Sequence, residues 1–398
     1  MTTTRTSILS VLYILFLCLG IATNASAQAT EEVLYTFTGG TDGGWPQAGL
    51  AFDNQGNLYG TTNSFGPNGY GTVFQLTPSG GGWTKTTIHG FCVDAPACRD
   101  GAYPLAGVTV DAAGNLYGTT SYGGGPQSWG VVYQLSPSAG TWDFTRIRNF
   151  SHADSYPSAK VTLDRAGRLF GTTLGNPVAG GLGTVFELVP NQNGGWNHRT
   201  LHDFQGQGGP ITAVAIDRAH NLYGMNDSGP DEGLFQVSPN RDGTWTLKTI
   251  AHLFGSGDLI LDAAGNLYGT ASGVVFKLTH TTSAWIQTVL YTFGPNDGGN
   301  HSGLTSDAAG NLYGTSGNGG LAGCANAYGC GLVFKLTPAQ NGWIFSILYK
   351  FTGGVDGGNP VGGVVVDNAG NLYGATNYGG LPGGCLVFGC GVVYKITP

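Results

Sequence analysis

The chain has 398 residues, only 10% of them charged, and a net charge of -7, so it offers no basic stripe to neutralise a phosphate backbone, and nucleic acid is not expected as a partner. Glycine and proline together make up about a fifth of the residues, near low-complexity levels. A hydrophobic content of 41% and an aromatic content of 11% nevertheless call for a packed core, with the glycines placed in turns.

At the N-terminus Arg5 precedes an apolar run from Ile8 to Ile21, followed by "NASAQ", whose Ala25 and Ala27 are the small residues a signal peptidase prefers. Residues 1–27 are therefore expected to be a cleaved signal peptide, and 28–398 one exported domain. The run is shorter than the roughly twenty residues a spanning helix needs. Cys18 falls inside the discarded part, and no further apolar segment follows, so no membrane span is expected after cleavage.

The first strand-like segment is "EEVLYTF", Glu31 to Phe37, which stands without companions. A repeat then begins. Its opening aspartate returns at Asp53, Asp111, Asp164, Asp217, Asp262, Asp307 and Asp367, at spacings of 58, 53, 53, 45, 45 and 60 residues. Each copy divides into four strands. A short apolar piece such as "GLAFD" leads into a D-x-x-G turn, where the aspartate caps and the glycine takes positive φ. "NLYGTT" follows, then a glycine-rich loop, then a third strand such as "GTVFQLTP". Its terminal proline suits a strand end, where no ladder N–H is needed. The fourth strand starts at a tryptophan and ends at a phenylalanine: Trp83 to Phe91, Trp142 to Phe150, Trp196 to Phe204, Trp245 to Phe254, Trp285 to Phe293 and Trp343 to Phe351.

Seven third strands but only six tryptophan-led fourth strands leave one strand missing at the C-terminal end. The solitary "EEVLYTF" matches "TVLYTF" at Thr288 to Phe293 and supplies it. The expected fold is thus all-β: a seven-bladed propeller of four-stranded antiparallel blades, closed by the N-terminal strand completing the last blade. Closure removes the open edges that would invite aggregation.

The motif D-x-x-G-N-L-Y-G-T-T followed by G-T-V-F-x-L-T-P resembles the bacterial tandem repeat known as the GloVer repeat, and does so over essentially the whole mature chain. That resemblance implies export, a β-propeller-like architecture and, in some members, a surface-sorting signal of the choice-of-anchor type that is not found here; it implies no activity. A weaker likeness to lactonase-like and streptogramin-lyase-like propellers rests on a turn common to many propellers, and no catalytic residue follows from it.

Repetition also acts as an internal control, because a residue type held in the same slot of most blades serves the blade. The D-x-x-G aspartates are turn formers by this test. His89, His202 and His252 share a slot with Tyr35, Tyr291 and Tyr349, and read as packing residues; His152 and His301 lie in loops. Glu187 stands where other blades carry Gln75 or Lys277 and is expected to be an exposed strand residue. Three near-neighbour cysteine pairs, Cys92 with Cys98, Cys324 with Cys330 and Cys385 with Cys390, read as local disulfides in an exported protein. Their spacing is looser than the C-x2-C of a zinc site.

The loops from each fourth strand into the next blade carry Asp42, Asp100, Asp154, Asp297 and Asp356, and strand alternation places the glycine-rich loops on the same face. That face therefore gathers the three cysteine pairs, the aromatics Trp45, Tyr103, Tyr122, Trp129, Tyr156, Tyr328 and Tyr378, and a partial ring of carboxylates. Turn chemistry accounts for the D-G-G sequences. A shallow acidic and aromatic surface for carbohydrate, peptide or Ca²⁺ is the functional alternative, with Asp42, Trp45, Asp100, Tyr103, Asp154, Tyr156, Asp297 and Asp356 as binding candidates. No cofactor is implied. If Ca²⁺ binds, the irregular "NDSGPDEG" loop with Asp227, Asp231 and Glu232 is its candidate site.

The chain carries no P-loop, nucleophile elbow or H-E-x-x-H. The expected function is that of an exported, monomeric, non-enzymatic propeller engaging a glycan or cell-surface protein through the loop face. One alternative is a polysaccharide- or lactone-directed lyase or hydrolase with its site at the central channel, which would need converging carboxylates or a histidine–carboxylate pair at the channel mouth. The other is a structural envelope protein.

Overall fold

The computed structural model describes residues 29–398 apart from 127–128, 152–153, 176–182, 205–208, 227–230, 254, 256, 272, 283, 295–296, 300–301, 322–323, 325–328, 382–384 and 386–387. The expected signal peptide, His152, His301, Asp227 and Tyr328 thus lie outside the described residues.

The first blade runs Ala51–Phe52, Leu58–Thr62, Thr72–Ser79 and Gly82–Gly90 from axis to rim. Five more sheets repeat that order. The seventh consists of Gly358–Val366, Leu372–Tyr378, Val392–Thr397 and, outermost, the N-terminal strand Thr30–Thr36. Thr30 lies opposite Thr397 and Thr36 opposite Val392, which closes the ring as the strand count requires.

Burial follows position in the blade. The "LYGTT" strand is buried at all five positions because neighbouring blades cover both its faces, whereas the outer strand alternates half-buried and exposed residues. Its central glycine is needed for space: a Cβ on Gly60 would come within 2.5 Å of the Phe74 ring. The room goes to an aromatic seam between blades. Each outer-strand phenylalanine meets the third-strand aromatic of the next blade at 4.9–5.4 Å between ring centres: Phe37–Phe74, Phe91–Tyr133, Phe150–Phe186, Phe204–Phe235, Phe293–Phe334 and Phe351–Tyr394. Such tilted and edge-on pairs add to the burial of apolar area. At the remaining junction Leu253 takes the phenylalanine's place and packs with Phe276.

Every outer strand carries a bulge at one register position. Val73 pairs with His89 and Phe74 with Thr87, so Ile88 is the extra residue. Ile147, Leu201, Ile250, Leu290, Leu348 and Leu34 are the counterparts. The bulge turns the next side chain toward the loop face. This register corrects one expectation: the residue after Ile250 is Ala251, paired with Leu234, so His252 does not occupy the tyrosine slot.

The D-x-x-G turns lie at the other end of the blades. Asp53 Oδ1 accepts from the Gln55 and Asn57 N–H groups, and Oδ2 accepts from Asn57 Nδ2 and the Tyr59 hydroxyl, all at 2.7–3.0 Å. Blade three departs from this pattern. Arg168 replaces the asparagine, donates to Asp164 and reaches Glu187 Oε1 at 2.9 Å. Glu187 is therefore buried, only 5% exposed, against the expectation of an exposed strand residue. It faces a guanidinium rather than water because Phe170 stands where other blades offer a tyrosine hydroxyl.

Candidate functional site

The face opposite the D-x-x-G turns carries three disulfides, Cys92–Cys98, Cys324–Cys330 and Cys385–Cys390. Each closes a short loop, a constraint of about 2 kcal/mol in the chain-entropy view, which stiffens the face without determining the fold.

The five loop carboxylates on this face turn inward. Asp42 accepts from the Tyr35 hydroxyl at 2.9 Å and from the Thr38 N–H and hydroxyl. Asp100 lies 2.8 Å from His89 Nε2 and accepts from the Val93 N–H. Asp154 pairs with Arg148 at 3.0 Å and accepts from Ser151. Asp297 takes the Tyr291 hydroxyl at 2.6 Å and the Gly294 N–H. Asp356 takes the Tyr349 hydroxyl and the Thr352 N–H. The donor in each case is the residue just after the outer-strand bulge, so the shared tyrosine and histidine slot and the loop aspartate are two halves of one clip. Burial raises the carboxyls of Asp42 and Asp154, but these hydrogen bonds outweigh it and hold both below the usual carboxylate range. Burial, with the aspartate beside it, pushes the Tyr35 hydroxyl upward.

A side chain from the next blade covers three of these clips. Phe144 stacks on His89 at 4.6 Å and Phe345 on Tyr291 at 4.1 Å. Lys85 lies over the Tyr35 ring and donates to the Asp42 carbonyl at 2.7 Å; burial lowers its ammonium to about 8, against the pull of Asp42. The His89–Asp100 pair thus sits under an aromatic lid at the rim of a blade, away from the channel.

The aromatic candidates form a surface. Tyr70, Tyr103, Tyr122, Tyr156 and Trp129 make one run of rings over blades one to three, at centroid separations of 5.4, 5.8, 5.2 and 5.6 Å. Tyr122, at its centre, is 46% exposed. Its backbone is fixed by two hydrogen bonds to Ala102. Trp45 is held apart from the run, edge-on to Phe65 with its indole N–H on the Gly389 carbonyl. Trp45, Tyr103 and Tyr156 share an unusual backbone, with φ of 58°, 56° and 58°, immediately before a proline. Left-handed non-glycine residues are uncommon and collect where structure imposes them. Here the N–H groups of all three are fastened to carbonyls of a neighbouring loop, those of Cys390, Tyr70 and Trp129.

Of the cation candidates, Asp227 is outside the described residues, and Asp231 lies 3.8 Å from His202. Among the described residues no three potential ligands converge on a metal position. Burial holds the His202 imidazole below its ordinary value, with Asp231 opposing.

The inner strands surround a central cavity of about 730 Å³, lined by Phe52, Val110, Val214, Ile260, Leu304 and Val365 together with Thr109, Thr162 and Thr305. Two charged side chains line it among the described residues, Lys160 and Asp258. Neither stood out in the sequence, because the signal is an exception in a slot that glycine or alanine otherwise fills.

These observations define a seven-bladed repeat propeller with one disulfide-stiffened, aromatic face. The Gloeobacter/Verrucomicrobia repeat matches residues 20–173 and 270–398, and the chain belongs to that family. Comparison with curated protein sequences gives no match. Among solved structures, the chain is similar to the extracellular domain of a protein from B. thetaiotaomicron described as a one-component system, with a TM-score of 0.56 and 12% identity over 92% of this chain and 40% of that one. It is also similar to an ancestral GH74 enzyme, with a TM-score of 0.56 and 10% identity over 88% of this chain and 48% of that one. The chain spans less than half the length of either, and at these identities the likeness is one of fold.

Proposed function

We propose that the protein is an exported, non-enzymatic binding propeller that takes carbohydrate on its disulfide-bearing face. The observation that carries this reading is the unbroken run of rings from Tyr70 to Trp129, with Tyr122 open to solvent at its centre. Adjacent rings of the run meet edge-on, at 65–90°, so it offers separate ring faces, and an exposed face such as that of Tyr122 on a stiff scaffold stacks on a sugar ring at small entropic cost. The loop aspartates act in this reading as the internal clips that hold the face, because their oxygens already accept hydrogen bonds from the chain. Export is supported by the N-terminal apolar segment and by three disulfides, which persist in oxidising compartments.

The enzymatic alternative calls for converging carboxylates or a histidine–carboxylate pair at the channel mouth. Among the described residues the channel is lined by a single carboxylate, Asp258, and the His89–Asp100 pair lies at the blade rim, which favours binding over catalysis. A glycan array followed by calorimetry tests the proposal. Tyr122→Ala is expected to weaken the best glycan about tenfold, since stacking and ring burial contribute on the order of 1–2 kcal/mol. Wild-type affinity in that variant, or a wild-type protein that binds no glycan, would overturn it.

A further inference from the structure

Seven inner-strand residues stand four positions before the repeat aspartates: Gly49, Gly107, Lys160, Ala213, Asp258, Gly303 and Gly363. The slot is small because the ring is tight here. A Cβ on Gly49 would lie 2.4 Å from the Gly362 carbonyl, and one on Gly107 2.4 Å from the Gly49 carbonyl. Two blades break the rule with charged side chains, and these two find each other. Lys160 Nζ lies 3.3 Å from Asp258 Oδ2, while Asp258 Oδ1 accepts the N–H of Ala213, from the blade between them, at 3.0 Å. Both line the central cavity at the mouth on the disulfide face, and they remain 47% and 36% exposed.

An ion pair this open contributes little to stability, and the other blades close the ring without one. Its position is better matched to a ligand. Along the irregular segment entering blade three, Tyr156, Ser158 and Lys160 are at least partly exposed while Pro157, Ala159 and Val161 between them are buried, so a ring, a hydroxyl and an ammonium come to the surface within five residues. Tyr156 is also a member of the aromatic run. The pair carries no net charge: a ligand carboxylate would meet Asp258, and a ligand ammonium would meet Lys160. An uncharged vicinal diol satisfies both, one hydroxyl donating to the carboxylate and its neighbour accepting from the ammonium.

We propose that the channel mouth is an end-site for a neutral saccharide, in which Lys160 and Asp258 grip a terminal diol while Tyr156 stacks on the ring. The inference rests on the carbohydrate reading above and names the class of sugar and the residues that select it. The test is calorimetry on the full mature chain with cello-, xylo-, manno- and maltohexaose, and with oligogalacturonate and chitosan oligomers as charged counterparts. Lys160→Ala and Asp258→Gly place in these two blades what the others already carry, so the ring is expected to fold in both, and thermal unfolding verifies that. Asp258→Asn serves as a second, isosteric variant. Each change is expected to weaken the best neutral oligosaccharide about tenfold, the cost of a lost charged hydrogen bond, and the charged oligomers are expected to bind less well than the neutral ones. Affinities within about twofold of wild type in these variants, with Tyr122→Ala still disruptive, would remove the end-site and leave the aromatic face standing. A preference for the uronate oligomer would overturn the neutral-diol argument. If the wild-type chain binds no saccharide at all, both readings fall together.

Discussion

One aspartate per blade organises a whole turn, and the arithmetic of its hydrogen bonds predicts what its loss does. Asp307 accepts from the Ala309 and Asn311 N–H groups on one oxygen and from Asn311 Nδ2 and the Tyr313 hydroxyl on the other. Burial raises its carboxyl, but the four donors win and hold it below its ordinary value. A lowered folded pKa means stability that is present above the unfolded value of 3.8 and lost as pH falls through the folded one. Asp307→Ala is expected to cost about 2 kcal/mol in urea unfolding, since several donors lose their acceptor at a partly exposed turn. Blade three offers a sharper case. Arg168→Asn alone would leave the buried Glu187 without its countercharge and is expected to cost about 3 kcal/mol, whereas Arg168→Asn with Glu187→Gln recovers much of that. A double-mutant cycle with no coupling would show that the pair is not what keeps Glu187 inside.

On the scale of the strand, the closing element carries a carboxylate in a slot that holds Lys85, Phe144, His198, Leu247, Gln287 and Phe345 in the other outer strands. Lys85, Phe144 and Phe345 cover the clip of the preceding blade from this slot, and in the N-terminal strand the slot holds Glu31. There its carboxyl approaches the Asp356 clip, with Oε1 buried and unpaired. Burial, then Asp356 and Glu32, push it from 4.5 up to about 7. Between those values the folded chain keeps a proton that the unfolded chain releases, so this contribution to stability is fully present below pH 4.5 and is lost as pH rises through about 7. Hydrogen exchange in Val33–Tyr35 is therefore expected to quicken from pH 6 to 8 beyond the intrinsic rate, and Glu31→Gln is expected to flatten that dependence. An unchanged profile in the variant would remove Glu31 as the cause. The repeat, the terminal exchange and the cysteine pairs were legible in the sequence because each recurs or is local. The bulge at Ile88, the union of Tyr35 with Asp42 and the burial of Glu187 were not, because each depends on register or on an exception in a single blade. Lys160 and Asp258 were visible only as breaks in a glycine slot, and their meeting depends on the ring bringing blades three and five together.

For the whole molecule the decisive contact is the one between the chain's first described strand and its last. Thr30–Thr36 contributes the outer edge of the seventh sheet, Phe37 seals against Phe74 of the first blade, and Tyr35 completes the Asp42 clip that Lys85 covers. Removing residues 28–37 would strip one strand and also open both junctions beside it, exposing the Val392–Thr397 edge with its unpaired ladder groups. A linear array of blades would tolerate such a loss as the fraying of one end, because its stability is a sum of neighbouring terms. A closed ring has no end to fray, so the same deletion is expected to lower the midpoint of thermal unfolding by about 5 °C or more, roughly what a loss of several kcal/mol implies for a domain of this size, and to drive the chain toward edge-paired oligomers visible by light scattering. Adding back a peptide of residues 28–38 should restore the scattering and the midpoint of the intact chain, since the missing strand is held by non-covalent pairing alone. A truncated chain with unchanged light scattering and an unshifted midpoint would mean that the seventh sheet stands on three strands and that the N-terminal segment is decoration rather than closure.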